Sequence, residues 1–284
     1  MFAEVEKKKF IQSCVAKALA GKKTVEKPQF ISLLGAKGSG KTTLGRKLEN
    51  TVLVSADDII GDYFKVQGAD ARSCVYGDEE RRFFTQAVNA VFVAAIRNKF
   101  NIAYDTGLTD NTEELIRRMQ KKGYESCIKA ILADDIAAQL NVVERKLDFD
   151  KKFTAYKNGE APYPDGLNPT MVDMKLAAKS ATDTAQFLMN TAEHFEAYEY
   201  GADAPAYDSR TAKQPFAEYL ADFCRRLPEP KVYKSRIERL YLQANKQKNH
   251  QISRGLSELH QELFKQKIAS GPVQRRGAVC RGGI

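Results

Sequence analysis

The chain has no long apolar segment and few cysteines. No stretch approaches the roughly 20 apolar residues that a membrane-spanning helix needs. Residues 1–23 mix Lys and Glu among apolar residues, which is typical of an amphipathic helix and unlike a signal peptide. The cysteines lie far apart, without metal-ligand or redox spacing: Cys14, Cys74, Cys127, Cys224 and Cys280. We therefore expect reduced thiols in a cytoplasmic protein without a transmembrane segment, and the sequence leaves secretion as an effector open.

Histidine is also scarce, and the positive charge is concentrated at one end. His194, His250 and His260 have no clustered ligands nearby, so we interpret them as surface or core packing residues. From Lys231 onward the chain has 12 Lys or Arg and three Asp or Glu, which accounts for the whole net charge of +9. Residues 1–230 are neutral, with 33 residues of each sign. By charge alone, the body of the protein is not expected to bind nucleic acid.

Short apolar runs alternate with helical patterns along most of the chain. The predicted strands are residues 31–34, 51–55, 100–104, 126–132 and part of 202–208. The predicted helices are residues 3–20, 41–49, 79–98, 111–122, 135–156, 171–195 and 214–226. Strands that alternate with helices predict an α/β fold, with a parallel sheet covered on both faces.

The segment between the first strand and the next helix matches a phosphate-binding P-loop at every fixed position. Residues 35–42 read GAKGSGKT, in which glycines let the backbone amides turn toward a phosphate and the following helix adds its positive end. Lys41 supplies a mobile cation, and the Thr42 hydroxyl is a ligand for Mg²⁺. We interpret Lys37 as solvated, without a catalytic role. ATP or GTP with Mg²⁺ is expected to bind Gly35, Ala36, Lys37, Gly38, Ser39, Gly40, Lys41, Thr42 and Thr43.

Acidic residues follow the next two predicted strands, where open parallel sheets bind ligands. Phosphoryl transfer to an alcohol needs a carboxylate at the acceptor hydroxyl and often another near the metal. We assign Asp57 to the acceptor and Asp105 to the outer shell of the metal or to the substrate. The structural alternatives are that Asp58 caps the next helix and that Asp105 closes a turn. Arg145, on a later helix, could stabilise charge on the phosphoryl group or simply be solvated.

Together these motifs resemble the zeta-toxin family of P-loop kinases over roughly residues 28–200. Asp57 lies in a VSADDII segment like the motif whose aspartate activates a sugar hydroxyl in that family, and FNIAYDTG has Asp105 where the family has glutamate. KGYE at residues 122–125 resembles the strand that follows. Glu144-Arg145 falls where the family has a lid arginine that contacts the γ-phosphate. The resemblance implies a three-layer P-loop kinase fold.

Zeta toxins phosphorylate the 3′-hydroxyl of UDP-N-acetylglucosamine, and an antitoxin blocks their ATP site. The resemblance therefore implies a nucleotide-sugar or other nucleotide substrate and an antitoxin partner. The chain departs from the family pattern in three places, one of which is that the basic region from Lys231 lies outside the resemblance. The second lid arginine has no counterpart in residues 157–170, although Lys175 or Lys179 could substitute without a bidentate fork. The arginine usually found shortly after the EGT motif is replaced near Thr109.

Three functions remain open from the sequence. The chain could be a small-molecule kinase like zeta toxins, a polynucleotide 5′-hydroxyl kinase, or an ATP-binding effector or interaction module without catalysis. The basic extension could contact nucleic acid, an acidic partner or an anionic membrane, or it could pack on the body as a helix. The predicted parts are an N-terminal helix at 1–28, a kinase domain at 29–228, a basic helical extension at 231–268 and an unstructured tail at 269–284.

Overall fold

A computed structural model describes residues 3–70, 77–105, 112–169 and 189–270, which surround a six-stranded sheet. Its strands are β1 (Gln29–Leu34), β2 (Thr51–Val54), β3 (Asn101–Asp105), β4 (Glu125–Leu132), β5 (His194–Glu199) and β6 (Tyr207–Asp208). Their order across the sheet is β2-β3-β1-β4-β5-β6, and β1 to β5 run parallel while β6 is antiparallel. Strands β2 and β3 lie on one side of β1 in the sheet, and β4 to β6 lie on the other side. The end of β1 is therefore the switch point at which such sheets bind ligands.

Helices cover the sheet, as the alternating pattern predicts. They are α1 (Glu4–Leu19), α2 (Lys41–Lys47), α3 (Ala56–Gln67), α4 (Asp78–Arg97), α5 (Thr112–Gln120), α6 (Asp135–Lys157), α7 (Phe216–Arg226), α8 (Lys234–Lys246) and α9 (His250–Ser270). None of the helices within the described ranges combines the length and apolarity that crossing a bilayer requires. The predicted α/β fold, with an N-terminal helix and a C-terminal helical extension, is confirmed.

Both faces of the central strands are buried, which explains why those strands read as nearly continuous apolar runs. Phe30 of β1 and Ile128 of β4 belong to the larger core, which also contains apolar side chains of α1, α4, α5 and α7. Leu33 and Ile131 point the other way and pack with Leu44 of α2. The alternation of side chains along each strand thus anchors α2, the helix that follows the P-loop.

Three secondary-structure assignments made from the sequence differ from the structure. The predicted helix at 171–195 lies mostly outside the described residues, but its end belongs to strand β5. Residues 56–67 form α3, which the sequence pattern did not delimit as a helix. The last predicted strand is confined to the two residues of β6. Residues 271–284 of the predicted unstructured tail lie outside the described part of the chain, and 269–270 end α9.

His194 corrects another expectation, because it does have potential ligand groups around it. The register of β4 and β5 pairs Cys127 with His194 and Lys129 with Glu196. The thiol, the imidazole and the Glu196 carboxylate lie within 4.8 Å of one another, and His194 Nε2 lies 3.1 Å from Asp208 Oδ1. Lys129 donates a hydrogen bond to Glu196, so the charges of this buried pair neutralise each other. The cluster is a satisfied polar network between two strands, which local sequence does not reveal.

The C-terminal extension consists of two helices that pack on the body instead of one continuous helix. Ile237 and Leu240 of α8, with Leu256 of α9, join an apolar cluster with Leu147 and neighbouring residues of α6. Ala36 of the P-loop belongs to the same cluster. Of the alternatives left open for the basic extension, packing on the body is the one that the structure shows. Ile237, Leu240 and Leu256 form the apolar inner face of this helical hairpin, and Lys234, Lys246 and Arg254 are exposed on it, whereas Arg236 is half-buried against α6.

Candidate nucleotide and phosphoryl-transfer site

The loop after β1 needs glycine both for its backbone and for its contact with α6. Gly38 has a φ of 80°, and Gly40, the N-cap of α2, has a φ of 95°. L-residues rarely adopt this left-handed conformation. A Cβ added at Gly38 would lie 2.5 Å from the carbonyl oxygen of Ala138, and the Asn141 side-chain amide donates a hydrogen bond of 2.9 Å to the Gly38 carbonyl. The P-loop is therefore held against α6.

Lys41 is the first residue of α2 and turns its ammonium group back to the loop. Its Nζ donates hydrogen bonds to the carbonyl oxygens of Gly35, at 2.9 Å, and Ala36, at 3.0 Å. Burial lowers the pKa of Lys41, whereas the carboxylates of Asp105 and Asp57 act to raise it. Phosphate oxygens would be stronger, charge-assisted acceptors than the two carbonyls. This geometry fits a lysine that exchanges loop carbonyls for a nucleotide phosphate.

Thr42 and Asp105 lie together at the end of the central strands. Leu33 of β1 pairs with Asp105 of β3, and the Thr42 hydroxyl donates a hydrogen bond of 2.8 Å to Asp105 Oδ2. Burial raises the pKa of Asp105, while Lys41 and the Thr42 hydrogen bond oppose that rise. A hydroxyl and a carboxylate are hard oxygen donors of the kind that Mg²⁺ prefers, so this pair fits a magnesium ion held next to the loop.

Asp57 lies in the first turn of α3, directly after β2. Ser55 is the N-cap of this helix, and its Oγ accepts a hydrogen bond of 3.2 Å from the Asp58 backbone N–H. The proposed capping role of Asp58 is therefore wrong, and its carboxylate instead forms an ion pair with Arg46 at 2.8 Å. Asp57 lines the same cavity as the P-loop, so its carboxylate is placed to contact a group bound there.

Helix α6 presents four polar residues to the same side. Asn141, Glu144, Arg145 and Asp148 follow the spacing i, i+3, i+4 and i+7, and all four line the cavity beside the P-loop. The N-cap of the helix is Asp134, whose carboxylate accepts hydrogen bonds from two backbone amides of the first turn. Arg145 therefore lies on a regular helix that faces the phosphate loop, as the sequence predicts for a lid arginine.

A cavity of about 730 Å³ brings the predicted site residues together. This volume lies within the range of roughly 300–1,000 Å³ that is common for ligand sites. Of the predicted set, it is lined by Gly35, Ala36, Lys37, Gly38, Gly40, Lys41, Thr42, Thr43, Asp57, Asp105 and Arg145. Ser39 is instead buried within the loop, and its Oγ has no hydrogen-bond partner among the described residues. Such an unsatisfied hydroxyl is consistent with a loop that is built to hold an additional polar group.

Two cavity residues, Tyr200 and Asn141, were not identified from the sequence. Tyr200 directly follows β5, its backbone N–H donates to the carbonyl of Leu132 at 3.0 Å, and its side chain is 52% exposed. The ring lies 4.0 Å from a Cβ built at Gly40. A strand assignment for residues 194–199 would have placed Tyr200 at the ligand edge of the sheet. The substitutes considered for a second arginine, Lys175 and Lys179, lie outside the described residues, as does Thr109.

Comparisons with known proteins agree with the predicted resemblance and with the fold. The family model described as zeta toxin matches residues 15–152. Among solved structures, one from the PezAT chromosomal toxin-antitoxin system of Streptococcus pneumoniae has a TM-score of 0.60 and 18% identity, covering 87% of this chain and 98% of that chain. The native AvrRxo1-ORF1:-ORF2 complex has a TM-score of 0.52 and 14% identity, covering 89% of this chain and 83% of that one. A search of curated proteins gave no match.

At these identities the structural likenesses establish the fold. The family match is independent of them and contains the P-loop, both strand-end aspartates and Arg145, but it ends before the C-terminal helices. The predicted resemblance is therefore confirmed: residues 15–152 match the zeta-toxin family model, and the fold is similar to that of the structure from the PezAT system.

Proposed function

We propose that this protein is an ATP-dependent kinase that transfers the γ-phosphoryl group to a hydroxyl of a nucleotide-linked acceptor such as a nucleotide sugar. The observation that supports this most directly is that Lys41, Thr42, Asp57, Asp105 and Arg145 line one cavity at the ligand edge of the sheet. Phosphoryl transfer depends mainly on positioning and charge stabilisation, and this set contains a group for each task.

The P-loop half of the cavity would hold ATP. The loop amides and the Lys41 ammonium would bind the β- and γ-phosphates, and the Thr42 hydroxyl with the Asp105 carboxylate would hold the magnesium ion. When bound, Mg²⁺ would neutralise charge on the phosphate oxygens. Because burial already raises the pKa of Asp105 and lowers that of Lys41, each of these groups gains from an added charge of opposite sign.

The Asp57 side of the cavity would receive the acceptor. In the transfer, the acceptor hydroxyl gives its proton to the Asp57 carboxylate, and its oxygen forms a bond to the γ-phosphorus. The bond between that phosphorus and the bridging oxygen breaks, so the products are ADP and a phosphorylated acceptor. Arg145 would stabilise the negative charge on the phosphoryl oxygens during this step.

The acceptor class is tested by incubating the protein with Mg²⁺, γ-labelled ATP and a panel of nucleotide sugars, dinucleotides and oligonucleotides, followed by mass analysis. We expect label on a nucleotide sugar or a related small nucleotide. Labelling of oligonucleotide 5′ ends that weakens steeply with salt would replace the proposal with a polynucleotide kinase. Binding of ATP with no transfer to any acceptor would instead indicate an ATP-binding module without catalysis.

Tyr200 is expected to stack on the nucleotide base. Its half-exposed ring lies at the P-loop wall of the cavity, next to Gly40. Changing Tyr200 to alanine should weaken ATP binding about 10-fold, because base–aromatic stacking contributes on the order of 1–3 kcal/mol. Tyr200→Phe should bind normally because the ring remains. Isothermal titration with MgATP measures both, and Tyr241→Ala, which removes an exposed ring on α8, is the matched control. Equal affinity of Tyr200→Ala and the wild type would exclude stacking.

A further inference from the structure

The C-terminal helices reach the P-loop through a short chain of polar contacts. Arg236 of α8 donates to Asn141 Oδ1 at 2.7 Å, and the Asn141 amide nitrogen donates to the carbonyl of Gly38 at 2.9 Å. The same guanidinium contacts Glu144 with two hydrogen bonds, of 3.1 and 2.8 Å. Arg236 lies outside the family match, and it is connected to the phosphate loop through the side chain of Asn141.

Arg236 determines which way the Asn141 amide faces. In the observed orientation, the amide oxygen accepts from a cation and the amide nitrogen donates to the Gly38 carbonyl. A flipped amide would place its nitrogen against the guanidinium and its oxygen against the carbonyl, so that both contacts would become repulsive. Without Arg236, only the Gly38 carbonyl would favour this amide orientation among the described contacts.

The orientation of the Gly38 carbonyl affects the shape of the phosphate-binding loop. Gly38 has a φ of 80° and packs so closely on Ala138 that a side chain would not fit. Amides that converge on an anion require the intervening carbonyls to point away, and a carbonyl pointing away needs a donor. Asn141 is that donor, so the amide orientation and the shape of the phosphate cradle are coupled.

Glu144 connects the same arginine to the lid face of α6. Its carboxylate accepts from Arg236 and also from Arg239, at 2.6 Å. Hydrogen bonding by Arg236 lowers the pKa of Glu144 and keeps it ionised. Arg145, the next residue, lines the nucleotide cavity. The two arginines of α8 are not equivalent, however, because only Arg236 among them contacts Asn141 in the described contacts.

We propose that Arg236 is a positioning residue for nucleotide binding, which holds Asn141 so that the P-loop is pre-shaped for phosphate. The proposal rests on the proposed kinase function in one respect, namely that the P-loop binds ATP. It gives the C-terminal hairpin a role at the site that the family-matched region alone does not provide.

The test compares the dissociation constant of MgATP and the melting temperature of the nucleotide-free protein among variants of the full chain. Arg236→Ala and Asn141→Ala should each weaken MgATP binding about 10-fold, as expected for one lost charged or loop-supporting hydrogen bond. The double variant should be no weaker than either single one, because both changes break the same chain of contacts. Arg236→Lys should bind MgATP about as weakly as Arg236→Ala, since one ammonium group does not reproduce the hydrogen bonds of the guanidinium to Asn141 and Glu144.

Arg239→Ala is the matched control, because it removes a neighbouring arginine that contacts Glu144 and not Asn141. It should lower the melting temperature less than Arg236→Ala, because Arg239 makes one hydrogen bond to Glu144 and is more exposed, and it should leave MgATP affinity unchanged. Wild-type affinity in both Arg236 variants, or additive effects of Arg236→Ala and Asn141→Ala, would overturn the inference. If Arg236→Ala does not fold, Arg236→Lys and Asn141→Ala decide the question. A wild-type protein that binds no MgATP would instead contradict the proposed function itself.

Discussion

Changing Lys41 to alanine should lower kcat/KM for phosphoryl transfer by about 10³-fold or more. The Lys41 ammonium lies within hydrogen-bond distance of two loop carbonyls and is partly buried beside two carboxylates. It is therefore pre-positioned for the phosphates and is poorly replaced by water. Transfer from γ-labelled ATP to the best acceptor of the panel measures the loss.

A control for charge and helix position is available on the same helix. Lys47, at the end of α2, is exposed and pairs with Asp203, so Lys47→Ala removes one positive charge without touching the cavity. It should retain wild-type turnover. Lys41→Ala should also bind ATP more weakly than wild type, since a ground-state phosphate contact is lost together with the one in the transition state. Near-normal turnover in Lys41→Ala would mean that the P-loop lysine does not serve the transferred phosphate.

The parts of the site that local sequence predicted are those that short-range chemistry determines. The P-loop at 35–42 needs glycines and a strand before it, and Asp57 and Asp105 follow apolar runs that end in polar residues. Parallel strands bring their carboxyl ends to one edge of the sheet. The positions of the P-loop, Asp57 and Asp105 after successive strands were therefore enough to predict that these residues lie close together. The structure places all of them in one cavity, and their roles remain predictions.

The missed elements depend on partners that are distant in sequence. Strand β5 contains the buried polar residues His194 and Glu196. Polar residues of this kind do not indicate a buried strand when the sequence is read locally. The partner of Glu196, Lys129 on β4, neutralises that polarity. Likewise, Arg236 and Asn141 lie on separate helices that meet because the apolar faces of α6 and α8 pack together. No local pattern marks either residue as functional.

Changing Asp57 to asparagine should lower kcat by about 10²- to 10⁴-fold, the range expected when a general base is lost. Asparagine keeps the size of the side chain but neither accepts the hydroxyl proton nor carries negative charge. The fold should tolerate the change, because Ser55 rather than Asp57 caps α3. Affinity for MgATP should stay within about twofold of wild type, since the interaction that is removed acts mainly in the transition state.

The contrast between the two variants separates phosphate binding from acceptor activation. Lys41→Ala should lose both affinity and turnover, whereas Asp57→Asn should lose turnover alone. Asp62→Asn, on the same helix, removes an acidic group that pairs with Lys17 outside this cavity, and it should behave as wild type in both measurements. If Asp57→Asn turned over normally while Lys41→Ala did not, the protein would still be a P-loop kinase, but another group would receive the acceptor proton. Within the cavity, Asp148 and Glu144 are the carboxylates of α6 that the same assay would then examine.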